Sequence, residues 1–262
     1  MDAAYDHAYH HKLRGRIWKA LRGTDYEHLH DEERPLGFCY SNPFPPGRIT
    51  EGDERIVIFS ATDRDVLGEI AANLDEDPEF NIGEMPFKVT DMSLLSPDVG
   101  EPGTSGVLES GTGLLVRIPP WRADEYGIEH DGENETFWRP KHSMEPLKIQ
   151  LENNLDKKHG LFHPKDLPGP SDVDGDLFEE YDLIKTYALP VQVTEETELT
   201  YVVSKWRLGY TVRNDHHRRH LNLALDTGLG ERNSLGFGFV NINEDSVIPP
   251  GRVDTVQEGH TP

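Results

Sequence analysis

The chain has 262 residues, of which 35 % are hydrophobic and 28 % charged, and its 26 basic and 48 acidic residues give a formal net charge of −22. This length suffices for two domains of ordinary size. The single cysteine, Cys39, excludes an internal disulfide and a cysteine-rich zinc module. No apolar run approaches the roughly 20 residues that cross a membrane, and no apolar secretion signal opens the chain, so we expect a cytoplasmic protein without a membrane partner.

The acidic residues are spread over the whole chain, in runs such as 75–77, 129–135 and 172–180. This distribution is typical of a surface adapted to a salty cytoplasm, and it indicates a halophilic, haloarchaeal protein. A strongly acidic balance normally argues against a nucleic-acid partner. At molar salt, however, the Debye length falls to about 3 Å, so long-range repulsion of phosphate is weak. The net charge therefore leaves a nucleic-acid partner open.

Helices and strands are predicted to alternate in the first half. A helix is expected over about 8–22, strands at 38–41 and 55–60, and a helix over 63–74 with Asp63 or Thr62 as its N-cap. Further strands are predicted at 87–95 and 114–118, after which Pro119 and Pro120 break the chain.

The second half is predicted to begin with an acidic, turn-rich loop and a helix over about 143–154. Two long strands follow at 181–193 and 199–213, then a helix at 216–227, a glycine-rich loop and a last strand at 237–242. Residues past 249 are expected to be disordered. Each half thus offers strands and two helices in an order compatible with a βαββαβ unit.

The glycine-rich loop has four glycines in eleven residues: Gly228-Leu229-Gly230-Glu231-Arg232-Asn233-Ser234-Leu235-Gly236-Phe237-Gly238. Glycine permits positive φ and close approach of the backbone to another molecule. Nucleotide P-loops run from strand to loop to helix, whereas this loop follows a helix and precedes a strand, and no Gly-Lys-Ser/Thr is present. The pattern therefore argues against a P-loop and a dinucleotide fingerprint.

A second block lies near the N-terminus, where the helix carries Leu13-Arg14-Gly15-Arg16-Ile17-Trp18, followed by Leu29-His30-Asp31 and then Phe38-Cys39-Tyr40-Ser41. Together the two blocks resemble the CRISPR repeat-processing endoribonucleases, the sixth CRISPR-associated protein family of the RAMP superfamily of RNA-binding proteins. That family has a Leu-x-Gly-x-Ile-Tyr helix, a Leu-His turn, a strand ending in Phe-x-Tyr/Phe-Ser and a C-terminal glycine-rich motif. The middle of the chain matches only loosely.

The resemblance implies an α+β fold of two tandem ferredoxin-like, RRM-like domains with a C-terminal glycine-rich loop. We place them at residues 1–120 and 121–248, with a disordered tail at 249–262. The family begins with a strand before the first helix, which this chain lacks. We expect a true start upstream rather than a missing edge strand, because the neighbouring strand would otherwise be exposed.

The resemblance also implies the chemistry. The family cleaves RNA without a metal or other cofactor, by attack of a ribose 2′-OH on the next phosphate, which leaves a 2′,3′-cyclic phosphate and a 5′-hydroxyl. His30 matches the catalytic histidine, and imidazole suits a general acid or base at neutral pH. Trp18 and Leu36 stand where many members have a tyrosine and a lysine. Trp18 could stack on RNA, and Arg34, or else Arg14 or Arg16, could supply the missing charge.

RNA contacts are expected in a larger set of residues that combines the glycine-rich loop, a basic helix and two strand positions. The set is Gly228, Gly230, Arg232, Ser234, Gly236, Gly238, Arg218, Arg219, Lys205 and Ser110. A surface helix that neutralises neighbouring acids is the alternative for the cluster at 216–220. The pairs His216/His220 and His7/His11 have zinc-ligand spacing, but no third ligand is evident, so no metal site is predicted.

These observations predict an endoribonuclease that cuts CRISPR precursor RNA within its repeats to release guide RNAs. Its partners would be repeat RNA and other subunits of an interference complex. The alternative is a non-catalytic RNA-binding RAMP subunit of such a complex, which would have no need of the Leu-His turn.

Overall fold

The computed structural model describes residues 9–32, 34–45, 47, 49–82, 85–132, 135–170, 175–192 and 198–250. The helices are α1 (Tyr9–Leu21), α2 (Arg64–Glu76), α3 (Pro120–Glu125), α4 (Glu145–Phe162) and α5 (Asp215–Thr227), with 3-10 turns at Glu27–Asp31, Asn233–Leu235 and Glu244–Ser246. The strands are β1 (Phe38–Tyr40), β2 (Phe59–Ala61), β3 (Glu79–Ile82), β4 (Met85–Lys88), β5 (Ser105–Ser110), β6 (Leu114–Leu115), β7 (Arg117–Ile118), β8 (Thr136–Phe137), β9 (Glu180–Gln192), β10 (Glu198–Thr211) and β11 (Val240–Ile242).

The predicted helices are present, and one of them is longer than expected. The Asp63 carboxylate accepts a hydrogen bond from the amide of Asp65 at 2.9 Å and so caps α2, as predicted. Helix α4 continues beyond the predicted end at 154 to Phe162. Its last two turns bury two polar residues, Lys158 and His159.

Three predictions in the middle of the chain were wrong. The strand expected at 87–95 ends at Lys88, and 89–100 forms no regular secondary structure. Strand β5 was missed, because its sequence of serine, glycine and glutamate among only two apolar residues conceals the alternation of its buried positions. The strand expected at 55–60 is confined to Phe59–Ala61. Pro119 and Pro120 do end the preceding strand at Ile118, as predicted, and Pro120 begins α3, a first-turn position where its missing N–H is no loss.

The second half forms an antiparallel sheet covered by α4 and α5. Strand β10 lies between β9 and β5, and β5 pairs in turn with β11. Strand β6 continues β5 along the same side of β10. In chain order these elements read β5–α4–β9–β10–α5–β11. Within the sheet the strands lie in the order β11, β5, β10, β9, which is the ferredoxin-like βαββαβ arrangement.

The predicted domain boundary at residue 120 stays a prediction, but the sheet crosses it. Strands β5 and β6 precede residue 120 and pair with β10, which follows it. The expected tail at 249–262 lies outside the described residues except for Pro249 and Pro250, and the question of a strand before α1 concerns residues 1–8, which are also outside them.

The first half has its own core, built from the apolar faces of α1 and α2 and the inward side of β1. Its buried members include Leu13, Ile17, Leu21, Phe38, Tyr40, Val66 and Ile70. Strands β1 and β2 pair antiparallel, as do β3 and β4. Among the described residues, no helix combines the length and apolar character needed to cross a bilayer.

The two halves meet where α5 packs on β1 and β2 and where the turn Asn233–Leu235 contacts β1 and α1. Cys39 of β1 lies in this interface, with its Sγ 3.8 Å from the carbonyl oxygen of Leu225 and 3.7 Å from that of Asp226. The thiol is fully buried, and burial raises its pKa to about 12.

Candidate active site

The turn Glu27–Asp31 holds His30 beside α1. Leu29 is buried and anchors the turn, whereas His30 is exposed to solvent. The imidazole stands edge-on to the indole of Trp18, with ring centroids 5.1 Å apart and planes at 78°. The structure thus brings together the two aromatic residues that the N-terminal block predicted for the site.

His30 and Trp18 line a cleft of about 360 Å³ between α1 and the turn. The other lining residues are Arg14, Gly15, Lys19, Arg22 and Glu27. Arg14, Trp18 and Arg22 recur every four residues, so they share one face of α1. Arg14 was among the residues predicted for the site, whereas Lys19 and Arg22 were not, although the spacing of Arg22 from Trp18 was a signal for it.

The cations of the cleft differ in how they are engaged. Lys19 forms an ion pair with Asp77 at 2.5 Å. Arg14 is half-buried, and its Nε has no hydrogen-bond partner within the described part of the chain. Arg22 is exposed. Two guanidinium groups are therefore available to a bound anion beside the imidazole.

Two other cations proposed from the sequence are engaged elsewhere. The Arg34 guanidinium donates to Glu32 at 2.6 Å, and this hydrogen bond holds the pKa of the Glu32 carboxyl below its usual range. Arg16 is buried and donates to Asn73 Oδ1 at 2.8 Å and to the Asp77 carbonyl. Neither lines the cleft, and Leu36 packs against the N-terminal core.

The glycines of the loop 228–238 allow its backbone to fold back on itself. Gly228, Gly230, Gly236 and Gly238 all have positive φ, and all four are buried. A Cβ on Gly230 would lie 2.5 Å from the carbonyl oxygen of Leu115, and one on Gly238 would overlap that of Leu229. These glycines are therefore needed for internal packing, and the exposed or half-exposed part of the loop is its tip, at Glu231, Arg232 and Ser234.

Side chains from three elements brace the loop. The Asn233 amide donates to the carbonyls of Leu229 and Phe237 at 3.2 and 3.0 Å. Glu231 is ion-paired with Arg117 of β7. The fully buried ammonium of Lys158 on α4 donates to the carbonyls of Gly228 and Gly230 at 2.7 and 3.2 Å.

The predicted contact Ser110-Gly111-Thr112-Gly113 connects β5 to β6 and lies beside the end of the glycine-rich loop. The amides of Gly111 and Thr112 donate to the Phe239 carbonyl at 2.9 and 3.3 Å. Ser110 is buried, and its hydroxyl donates to the Trp206 carbonyl and accepts from the Trp206 amide.

Lys205 lies on β10 next to this connection and donates to the Gly111 carbonyl at 2.9 Å. Lys185 of β9 stands directly opposite it in the register. Like charges across a strand pair are unfavourable. Burial and the Lys185 charge together lower the pKa of Lys205. Lys185 was not among the predicted RNA contacts, although its position in the predicted strand 181–193 beside the strand of Lys205 could have indicated it.

The basic cluster at 216–220 is only partly exposed. His217 and His220 point inward, with Nε2 atoms 2.9 Å from the Leu177 carbonyl and 3.0 Å from that of Pro168. Arg218 forms a bidentate ion pair with Asp98, at 3.0 and 2.8 Å. This part of α5 matches the neutralising surface helix that was the alternative reading.

Arg219 and His216 interact with each other, with the Arg219 guanidinium 2.9 Å from the Nδ1 of His216. Arg219 also donates to the Pro168 carbonyl at 3.2 Å. Within the described residues, no group of three or more histidine, cysteine or acidic side chains is arranged to hold a metal ion. The pair His7/His11 falls on side chains outside those described.

Comparison with known proteins supports the same family as the motifs. The family model for the C-terminal part of CRISPR-associated protein Cas6 matches residues 120–242. The CRISPR-associated endoribonuclease Cas6 of Haloferax mediterranei is 54 % identical over 243 residues, which cover 93 % of this chain and 90 % of that protein.

Two solved structures share the fold at 18 % identity. One, described as CRISPR associated protein Cas6, has a TM-score of 0.63 and covers 93 % of this chain and 94 % of its own. The other, described as a RAMP protein binding different RNA substrates, has a TM-score of 0.62 and covers 93 % of this chain and 97 % of its own. The predicted fold is confirmed, and at this identity to the haloarchaeal relative the chain belongs to the Cas6 family of CRISPR-associated endoribonucleases.

Proposed function

We propose that this endoribonuclease cuts CRISPR precursor RNA within its repeats and that His30 is its acid–base residue. The observation that carries the proposal is the exposed imidazole in a cleft lined by cations, in a chain of net charge −22. Cleavage would proceed by attack of the 2′-OH on the adjacent phosphate, with no metal ion. The products would be a 2′,3′-cyclic phosphate and a 5′-hydroxyl.

His30 would take the 2′-OH proton or protonate the 5′-oxygen leaving group. Imidazole can do either near neutral pH, and proton transfer by a positioned side chain contributes about 10²–10⁴-fold to rates. Trp18 has no phenol to donate a proton, so its part would be to hold the imidazole edge-on and to stack against a base or ribose.

Negative charge that develops on the phosphate would be stabilised by Arg14 and Arg22. Guanidinium groups suit this part because they bind phosphate oxygens with two parallel hydrogen bonds and stay charged. Arg34, the cation first predicted for this role, would have to exchange its ion pair with Glu32 for the phosphate. We therefore rank Arg14 and Arg22 ahead of it.

The repeat would be bound through short-range contacts because salt screens the protein's charge. The tip of the glycine-rich loop offers Arg232 and Ser234, and the pair Lys205 and Lys185 offers two ammonium groups side by side. Bound phosphate would relieve the repulsion between these two lysines. Arg219 could join this surface, whereas Arg218 is already neutralised by Asp98. Binding to other subunits of an interference complex stays a prediction.

The test is cleavage of an end-labelled repeat RNA in concentrated KCl with EDTA, comparing wild type, His30→Ala and His28→Ala. His28 is the matched control, since it lies exposed in the same turn, with its Nδ1 2.8 Å from the Asp25 carbonyl. We expect His30→Ala to bind RNA normally and to cut at least about 10²-fold more slowly. His28→Ala should cut like wild type.

Four outcomes would contradict the proposal. Equal cutting by wild type and His30→Ala would remove His30 from the chemistry. A product with a 5′-phosphate, or activity lost in EDTA, would exclude attack by the 2′-OH without a metal. Binding of the repeat without any cutting by wild type would instead favour the non-catalytic RNA-binding subunit.

A further inference from the structure

Lys158 is a charged residue that the proposed chemistry does not use and that the fold nevertheless buries completely. It lies on α4 one turn beyond Leu155 and two turns beyond Leu151, on the face that packs into the core. Burying an ammonium group is unfavourable unless it is hydrogen-bonded or paired. Its neighbour Lys157, by contrast, is exposed.

The partners of the Lys158 ammonium are two carbonyl groups of the glycine-rich loop. It donates to Gly228 at 2.7 Å and to Gly230 at 3.2 Å. Gly228 is the C-cap of α5, where the unpaired carbonyls carry partial negative charge that favours a cation. One side chain thus ties α4, the end of α5 and the loop together.

The other groups that face Lys158 are few. The Cys39 thiol comes from β1, and the Glu231 carboxylate comes from the loop, where it is paired with Arg117. Burial lowers the pKa of Lys158 to about 7, and the charges of Cys39 and Glu231 oppose that shift. Among the described residues, the hydrogen-bond acceptors of the Lys158 Nζ are the two loop carbonyls.

The segment that Lys158 fixes leads directly into the exposed tip of the loop. Gly230 is followed by Glu231, Arg232 and the turn Asn233–Leu235, which contacts β1 and α1. Helix α1 carries Arg14, Trp18 and Arg22 of the cleft. A shift of the backbone at Gly228 or Gly230 would displace the tip relative to the helix that lines the cleft.

We propose that Lys158 is a positioning residue for RNA, which holds the first part of the glycine-rich loop so that Arg232 and Ser234 meet the bound repeat. The inference rests on the proposed function, since it takes the loop tip to contact RNA. Lys158 itself does not touch RNA, because no part of its ammonium reaches the surface.

The test measures the affinity of Lys158→Met for a repeat RNA that carries a 2′-deoxy residue at the cleavage site. Methionine has a similar length and no N–H donor. We expect the Kd to rise about tenfold, which corresponds to about 1.4 kcal/mol. The control Lys157→Met should bind within about twofold of wild type, because it removes one exposed lysine of the same helix.

A merely structural role would lower the folded fraction and leave the Kd of folded molecules unchanged, so folded protein is separated by gel filtration first. Lys158→Gln, which keeps a donor, should recover affinity to within about threefold. If Lys158→Met does not fold, Lys158→Leu, which also lacks an N–H donor, replaces it with the same expected loss. Gly230→Ala disturbs the same backbone, since its Cβ would meet the Leu115 carbonyl. The Lys158→Met/Gly230→Ala double variant should lose less affinity than the sum of the two changes.

Normal binding by folded Lys158→Met would overturn the inference, as would additive losses in the double variant. Wild-type protein that fails to distinguish the repeat from a scrambled RNA would instead overturn the proposed function. The two failures are therefore separate results of one experiment.

Discussion

Glycine has opposite roles at two places in this chain. In the loop, Gly228, Gly230 and Gly238 have positive φ and lie so close to other backbone that an added methyl group would collide with it. Gly15, in the middle of α1, has nothing within 4 Å of where a Cβ would stand. A glycine inside a helix is destabilising by about 0.5–1 kcal/mol relative to alanine. Because Gly15 lines the cleft, we infer that its lack of a side chain leaves room for RNA.

Gly15→Ala should therefore stabilise the protein and impair its activity. We expect the free energy of unfolding to rise by about 0.5–1 kcal/mol because a helical glycine is replaced. The KM for repeat RNA should rise about fivefold, the effect of about 1 kcal/mol of steric strain. Denaturant unfolding and steady-state cleavage measure the two effects.

Gly68→Ala is the matched control for that change. Gly68 lies within α2, also has nothing within 4 Å of its Cβ position, and does not line the cleft. It should give the same gain in stability with an unchanged KM. If the KM of Gly15→Ala also equals the wild-type value, RNA does not approach α1 at this residue.

Local patterns predicted the aromatic part of the site, and distant contacts decided the rest. His30 and Trp18 meet because a short turn follows α1, and both belong to one motif. Lys158 lies beyond the end predicted for its helix at 154, and only the fold shows that its ammonium donates to loop carbonyls 70 and 72 positions away. The ion pair that engages Arg218 joins residues 120 positions apart and was equally invisible.

Helix α5 shows how an element can mislead when its buried face is polar. Its sequence reads as a basic surface, yet His217 and His220 are buried and bonded to backbone carbonyls. On the facing helix, His159 and His163 have ring centroids 4.8 Å apart, and His159 lies 5.2 Å from His220. Helices α4 and α5 therefore pack partly through imidazoles, which hydrophobic periodicity does not detect.

This packing predicts that stability is lost in mildly acidic solution. Burial lowers the pKa of His220 from 6.5 to about 4. Between these two pH values the unfolded chain binds a proton that the folded protein does not, so lowering the pH favours unfolding. The stabilisation is fully present above pH 6.5, and up to about 3 kcal/mol of it is lost as the pH falls through 4.

His220→Gln tests this origin, because its amide can still donate to the Pro168 carbonyl but cannot take up a proton. We expect a smaller fall in the free energy of unfolding between pH 7 and pH 5 than in wild type, measured in denaturant at constant KCl. His216→Gln, which changes the exposed histidine of the preceding turn, should keep the wild-type dependence. If the free energy of unfolding falls equally with pH in all three proteins, His220 is not the source of the acid sensitivity.

At the scale of the whole molecule, the two halves are joined by apolar packing and backbone contacts. The described contacts between them include those from α5 to β1 and β2, from the turn Asn233–Leu235 to β1 and α1, and from α1 to β9. A net charge of −22 works against this association, and salt weakens that repulsion. The order of the predicted elements and the family resemblance carried by two motifs predicted the fold class and the tandem arrangement. The pairing of β5 with β10 was not predicted because it depends on residues about 100 positions apart.

Cys39 makes the opening of that interface measurable. It is the chain's one thiol, it is fully buried against the end of α5, and its raised pKa leaves little reactive thiolate. A thiol reagent can modify it only when β1 and α5 separate. The labelling rate therefore reports how readily the interface between the two halves opens in the unmodified enzyme. Repeat RNA held by both halves at 100 times its Kd should slow labelling about 100-fold, as mass action requires. An unchanged rate would mean that the RNA is held by one half alone.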